Sequence, residues 1–126
     1  MIHIIIGTKA QLIKMAPVMR SLLDSGVRYN FIHTGQHHET ISDILSDFKL
    51  PDVDFYIQES TDVTRKTQVP KWLALCERKT RKGSPCWKGK TGSNDVVVVH
   101  GDTLSTMIGV LAAKRAGMRC AHVESG

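Results

Sequence analysis

Cysteine is scarce: three residues in 126, at positions 76, 86 and 120, an odd number with no Cys-x-x-Cys spacing. A disulfide framework and a zinc site are therefore not expected, and a reducing cytoplasm is the default compartment. No apolar run approaches the roughly 20 residues that a membrane-spanning helix needs, so no membrane role is expected. The chain also opens without a charged leader, apolar stretch and small-residue cleavage site, so no secretory signal is expected. Glycine is sparse where a nucleotide fingerprint would need it. Gly7 stands alone after the first apolar run, so neither G-x-G-x-x-G nor the P-loop pattern is met, and no NAD or ATP cofactor is implied.

What is present suits one soluble domain with a core, at 41% hydrophobic content. The net charge of +5 is local in origin. Nine of the seventeen Lys and Arg, and one of the twelve acids, fall between Arg65 and Lys90, so the other hundred residues are net acidic. The stretch RKTRKGSPCWKGKTGSN is rich in Gly, Ser and Lys, which predicts an exposed, mobile loop. A nucleic-acid patch is the sharper alternative, but only Trp72 and Trp87 are available there as stacking platforms. Nucleic acid is not the expected partner.

Along the chain, strand and helix patterns alternate. Ile2 to Ile6 predicts a buried strand ending at Gly7-Thr8. Thr8 followed by Gln11 fits a capping box, and Leu12, Met15, Ala16, Met19, Leu22 and Leu23 recur at helical spacing up to Gly26. Pro17 inside that pattern predicts a kink or a division. Tyr29 to His33 predicts a second strand, and Ile41, Ile44, Leu45 and Phe48 a second helix stopped by Pro51. Val53, Phe55 and Ile57 alternate with polar residues, as in a strand near an edge. A poorly defined helix over 64–78 is weakened by Pro70. Val96 to Val99 then predicts a strand covered on both faces. A helix from Leu104 to Ala116, capped by Gly117, and a strand from Arg119 to Val123 complete the pattern. Such alternation implies β-α-β units and a doubly wound α/β parallel sheet of Rossmann-like type.

In such a sheet, ligands bind outside the carboxyl ends of the strands. Those ends carry Gly7-Thr8-Lys9, Gln36-His37-His38, His100-Gly101-Asp102-Thr103 and Glu124-Ser125-Gly126. Thr8 suits two uses, helix N-cap or phosphate ligand at a helix N-terminus. Asp102 is likewise either an N-cap or a reacting carboxylate. Glu124, directly after an apolar strand, has fewer structural explanations. Two carboxylates at one cleft suit proton transfer, with the pKa of one raised by the other. His37 and His38 lack a third residue at ligand spacing, so no metal is expected.

These motifs together resemble the non-hydrolysing UDP-N-acetylglucosamine 2-epimerases. The resemblance rests on Gly7-Thr8-Lys9 through Ile13-Lys14-Met15-Ala16-Pro17, on Thr34-Gly35-Gln36-His37, on Val99-His100-Gly101-Asp102-Thr103, and on His122-Val123-Glu124-Ser125-Gly126, in the family's order. It implies a two-domain GT-B type enzyme, of which residues 1–126 form part of the N-terminal Rossmann-like domain, the second domain being absent from this chain. It further implies removal of UDP by anti elimination to a 2-acetamidoglucal, then re-addition with the opposite configuration at C2. Lys14, Asp102 and Glu124 match catalytic positions of the family. Lys9 stands where an arginine meets the diphosphate, and Gln36 matches a residue of an allosteric UDP-GlcNAc site in bacterial members. With Thr8, His37, His100 and Thr103, these two form the expected substrate-binding set. The family's Arg-Pro-Glu is replaced by Lys9-Ala10-Gln11, and lysine cannot reproduce a bidentate guanidinium fork.

The implied partner is a UDP-sugar, with a homodimer or a C-terminal half from another chain as further expectations. A related diacetamido sugar nucleotide is an alternative substrate. A non-catalytic UDP-sugar-binding or partner-subunit module is the non-enzymatic alternative.

Overall fold

In the computed structural model, which describes residues 1–36, 41–59, 65–89 and 91–124, the isoleucine run forms β1 (Ile2–Ile6) and the valine run β4 (Val96–His100). Helices α1 (Lys9–Asp24) and α2 (Ser42–Asp47) lead from β1 through β2 (Tyr29–His33) to β3 (Phe55–Tyr56). Helix α3 (Val69–Lys79) leads into β4, and α4 (Leu104–Ala116) leads from β4 into β5 (Arg119–Val123). All strand pairs are parallel, in the order β3-β2-β1-β4-β5. The doubly wound α/β expectation is met.

Alternate residues of each strand feed opposite cores, because side chains in a strand point to alternate faces. Ile4, Ile6 and Phe31 pack with Leu12, Met15 and Met19 of α1 and Ile44 and Leu45 of α2. Ile5, Ile32, Val97 and Val99 pack with Trp72 and Cys76 of α3 and Ile108, Ala112 and Ala116 of α4. The first helices therefore cover one face and the later ones the other, and coverage switches between β1 and β4.

Several expectations change. Of the two outcomes expected at Pro17, the division does not occur: the residue lies, exposed, within one helix from Lys9 to Asp24. Pro70 does not weaken α3; it occupies the first turn, where a missing N–H costs nothing. The third strand shrinks to two residues at the sheet edge, next to β2 alone. The valine strand is covered fully on one face only: Val97 and Val99 are buried, Val96 and Val98 half-buried. Strand β5 is mostly exposed along its length.

The basic segment departs most from expectation. Cys86 and Trp87 are fully buried, and the Trp87 indole N–H donates to the carbonyls of Thr80 and Arg81. Its ring meets His3 edge-on at 5.0 Å. Trp72 is also buried and donates to the Thr34 carbonyl. Sparse apolar content hid two anchors that hold a charged surface loop to the sheet. With both tryptophans inside, no stacking platform faces solvent among the described residues of that segment.

Candidate functional site

The carboxyl ends of β1, β2, β4 and β5 meet at one rim. Thr8 caps α1 with its side chain, accepting the Gln11 N–H at 3.2 Å. Gln11 Oε1 accepts the Gly7 N–H at 3.0 Å, one residue before the N-cap, so only the Thr8 half of the capping box expected from Thr8 and Gln11 is formed. The Thr8 hydroxyl is thus committed to its helix, and a phosphate would have to share it.

Gln11 reaches further than a cap requires. It is 4% exposed, and its Nε2 donates to the His100 carbonyl at 2.7 Å and to Thr103 Oγ1 at 2.9 Å. Thr103, not Asp102, is the N-cap of α4, accepting the Thr106 N–H. The capping explanation for Asp102 therefore falls away. Its side chain is exposed in the turn between β4 and α4.

Gly7 makes this crowding feasible. A Cβ there would lie 1.9 Å from Ser105 Oγ and 2.4 Å from Thr34 Oγ1. Those two hydroxyls share a hydrogen bond of 2.8 Å, and Ser105 also donates its hydroxyl and N–H to Gln36 Oε1 at 2.6 and 3.3 Å. Gln36 thereby occupies part of the amide-rich start of α4, the end that favours negative charge.

Glu124 follows β5 with φ of +54°, a left-handed conformation uncommon for a side chain of this size. Strain of this kind recurs at functional positions. Its Oε2 lies 2.9 Å from Lys14 Nζ and 3.0 Å from Nε2 of the buried His100. The Lys14 ammonium first, and His100 after it, holds the Glu124 carboxyl below the usual carboxylate range. The expected mutual raising of two carboxylates is corrected here: a cation, not Asp102, sets the ionisation of Glu124.

Lys9 turns away from this group and pairs with Asp43 of α2 at 3.4 Å. The Asp43 carboxyl is lowered chiefly by the Ile44 backbone N–H, with Lys9 adding to it. The structure thus brings Lys14, Glu124 and His100 together, with Thr103 and Gln36 meeting the start of the neighbouring helix. His37 lies outside the described residues. No metal-holding cluster of His, Cys, Asp and Glu occurs among the described residues.

Sequence reasoning missed Gln11 as a member of the rim, along with Thr34 and Ser105. The available signal was an amide on the face of α1 that also carries Leu12 and Met15, and the hydroxyl run Thr103, Ser105, Thr106 at a helix start.

Comparison with known proteins bears on this arrangement. The sequence model of the UDP-N-acetylglucosamine 2-epimerase family matches residues 21–126. A UDP-N-acetylglucosamine 2-epimerase of Methanocaldococcus jannaschii is 32% identical over 99% of this chain, and 32% of its own length is covered. The crystal structure of the Neisseria meningitidis UDP-GlcNAc 2-epimerase bound to UDP-GlcNAc superposes with a TM-score of 0.72 at 26% identity, over 99% of this chain and 32% of that one. A Listeria monocytogenes crystal structure reaches a TM-score of 0.78 over 99% of this chain and 31% of that one; its 24% identity bears on the fold alone. The chain thus spans about a third of the length of the relatives it matches.

Proposed function

Because the chain belongs to the UDP-N-acetylglucosamine 2-epimerase family, we propose that it supplies one wall of the catalytic cleft of a sugar-nucleotide 2-epimerase, converting UDP-GlcNAc to UDP-ManNAc. The observation that carries this reading is the meeting of Lys14, Glu124 and His100 at the strand ends, beside the turn that presents Asp102.

In the proposed reaction a carboxylate takes the proton from C2. The C–H electron pair forms the C1–C2 double bond, and the C1–O bond breaks with its pair leaving on the diphosphate. UDP then adds back at C1, and C2 receives a proton on the opposite face. The C2 proton is weakly acidic, so the step requires a positioned base and relief of charge on the leaving group. Asp102, exposed and with no ion pair among the described residues, suits the base. Glu124, kept ionised by Lys14, suits charge stabilisation and holding Lys14 towards the diphosphate. Thr8, Lys9, Gln36, His37, His100 and Thr103 form the proposed binding set around them.

In this reading residues 1–126 are part of the N-terminal domain of a GT-B type enzyme, and the far side of the ligand is covered by a second lobe. The enzyme is cytoplasmic, and its product serves polysaccharide biosynthesis. The chain on its own binds UDP-sugar and does not turn it over. The test is incubation with UDP-GlcNAc in deuterated water, with and without the remaining two thirds of a relative supplied as a second polypeptide. Deuterium at C2 in the complemented sample is expected, and none in either sample would overturn the epimerase reading.

A second reading, a non-catalytic UDP-sugar-binding module, is favoured by Lys9, which is paired with Asp43 and lacks the guanidinium fork. Ligand-induced shifts without deuterium incorporation in the complemented sample would select it.

A further inference from the structure

The strand ladder fails at the point where the site begins. β1 and β2 pair through Ile6 and His33, and β4 and β5 pair through His100 and Val123. β1 and β4 pair only as far as Ile4 and Val98, two residues short of both strand ends. Helix coverage also changes face here, so β1 and β4 part at a topological switch point. The sheet ladder itself does not fix the His100–Thr103 turn from the β1 side.

We propose that Gln11 is the positioning residue that fixes this turn, and with it the carboxylate of Asp102. Its buried side-chain amide stands where the missing ladder bonds would run. Oε1 accepts from Gly7 at the end of β1, while Nε2 donates to the carbonyl of His100 at the end of β4 and to the hydroxyl of Thr103. Asp102 lies between those two anchored residues. The link needs a donor and an acceptor on one planar group, which glutamine provides and an ionised glutamate does not. Without the Gln11 amide, the Thr106 hydroxyl, which donates to the buried His100 carbonyl at 2.7 Å, would be its one remaining side-chain donor among the described residues.

This inference concerns the placement of Asp102 and rests on the reading of Asp102 as a site residue, so its test uses signals that do not depend on turnover. In the labelled 126-residue chain, a through-hydrogen-bond coupling between Gln11 Nε2 and the His100 carbonyl carbon is expected, and its absence would overturn the proposal. Gln11→Glu keeps the shape and replaces the donor by a carboxylate facing that carbonyl. At pH 7.5 the Asp102 and Thr103 amide resonances of the variant should move away from their wild-type positions. They should return as the pH falls and the introduced carboxyl takes up the proton with which it can donate to His100. A packing role alone predicts wild-type shifts at both pH values, and that result would overturn the proposal. Should the glutamate variant fail to fold, the coupling in the wild-type chain still decides the matter. Shifts induced at Asp102 by UDP-GlcNAc report on the site reading separately, so the two fail independently.

Discussion

Lys14 and Glu124, 110 positions apart in the chain, meet at 2.9 Å across the carboxyl ends of the sheet. One stands on the second turn of the first helix and the other on the residue after the last strand. Both side chains are more than half exposed, so the pair contributes little to stability and its interest is electrostatic. Replacing the ammonium by an isosteric apolar group, Lys14→Met, should let the Glu124 carboxyl titrate at higher pH than in the wild-type chain. A carbon-detected titration of the Glu124 carboxyl checks this. An unmoved midpoint would show that His100 or solvent, not Lys14, sets its ionisation.

The two carboxylates should separate kinetically in the complemented enzyme proposed above. Asp102→Asn removes the base and should slow deuterium incorporation at C2 by about 10²–10⁴-fold, the ordinary contribution of general base catalysis. Glu124→Gln should impair it too while leaving Lys14 without its carboxylate, so binding of UDP should change alongside turnover. Exchange at the wild-type rate in Asp102→Asn would remove Asp102 from the mechanism.

Helix and strand positions were legible because the apolar periods were clean. Ile2–Ile6, Tyr29–His33, Leu104–Ala116 and Arg119–Val123 fall where the pattern puts them. The misreadings share a physical origin. Composition averages over a segment, and two indoles outweigh the many lysines around them: burying Trp72 and Trp87 turned an expected solvated loop into an anchored one. Proline breaks a helix only in its interior, whereas Pro70 sits in the first helical turn, where no hydrogen bond is lost. At the site, residue types pointed to the rim but not to the pairing. That Glu124 meets Lys14 rather than Asp102 depends on how far β5 runs beside β4. Local sequence does not encode that register.

Gly7 should tolerate no side chain. In Gly7→Ala the new methyl meets Ser105 Oγ at 1.9 Å and Ser105 Cβ at 2.8 Å, so β1 and the start of α4 must move apart. A loss of about 1–3 kcal/mol is expected from such overpacking, measured by chemical denaturation. Adding Ser105→Gly to the alanine variant removes the two Ser105 atoms, leaves Thr34 Oγ1 at 2.4 Å, and should therefore restore part of that loss. Equal stability of Gly7→Ala and the wild-type chain would mean that the hydroxyl cradle opens at no cost.

Trp87→Ala should destabilise the chain by about 3–5 kcal/mol, since a fully buried indole is lost with its hydrogen bonds to Thr80 and Arg81. The same variant tests the role of the basic segment. With its aromatic rings inside, that segment offers nucleic acid charge alone, so weak retention on immobilised DNA should vanish as salt rises. Retention that survives high salt and disappears in a folded Trp87 variant would revive a stacking role.

His3 gives the fold an acid limit. Its ring is fully buried at the start of β1, against Trp87 and within 3.0 Å of the Asn30 amide. Burial is the main cause that lowers its pKa; the nearby Asp95 carboxylate pulls the other way and the N-terminal ammonium adds to the lowering. A group whose pKa is lower in the folded state than its ordinary value of 6.5 binds fewer protons folded than unfolded. Its contribution to stability is therefore whole above pH 6.5 and is lost progressively as the pH falls below it. Melting temperature should decline from pH 7.5 to pH 5, and His3→Gln, which cannot take up the proton, should flatten that decline. The Trp87 indole fluorescence should respond with it in the wild-type chain, because the protonated ring must leave the edge of that indole to find water. A decline of equal slope in both chains would assign the acid limit to the carboxylates, with Asp95 the first to examine, since its bond to the N-terminal ammonium holds its pKa down.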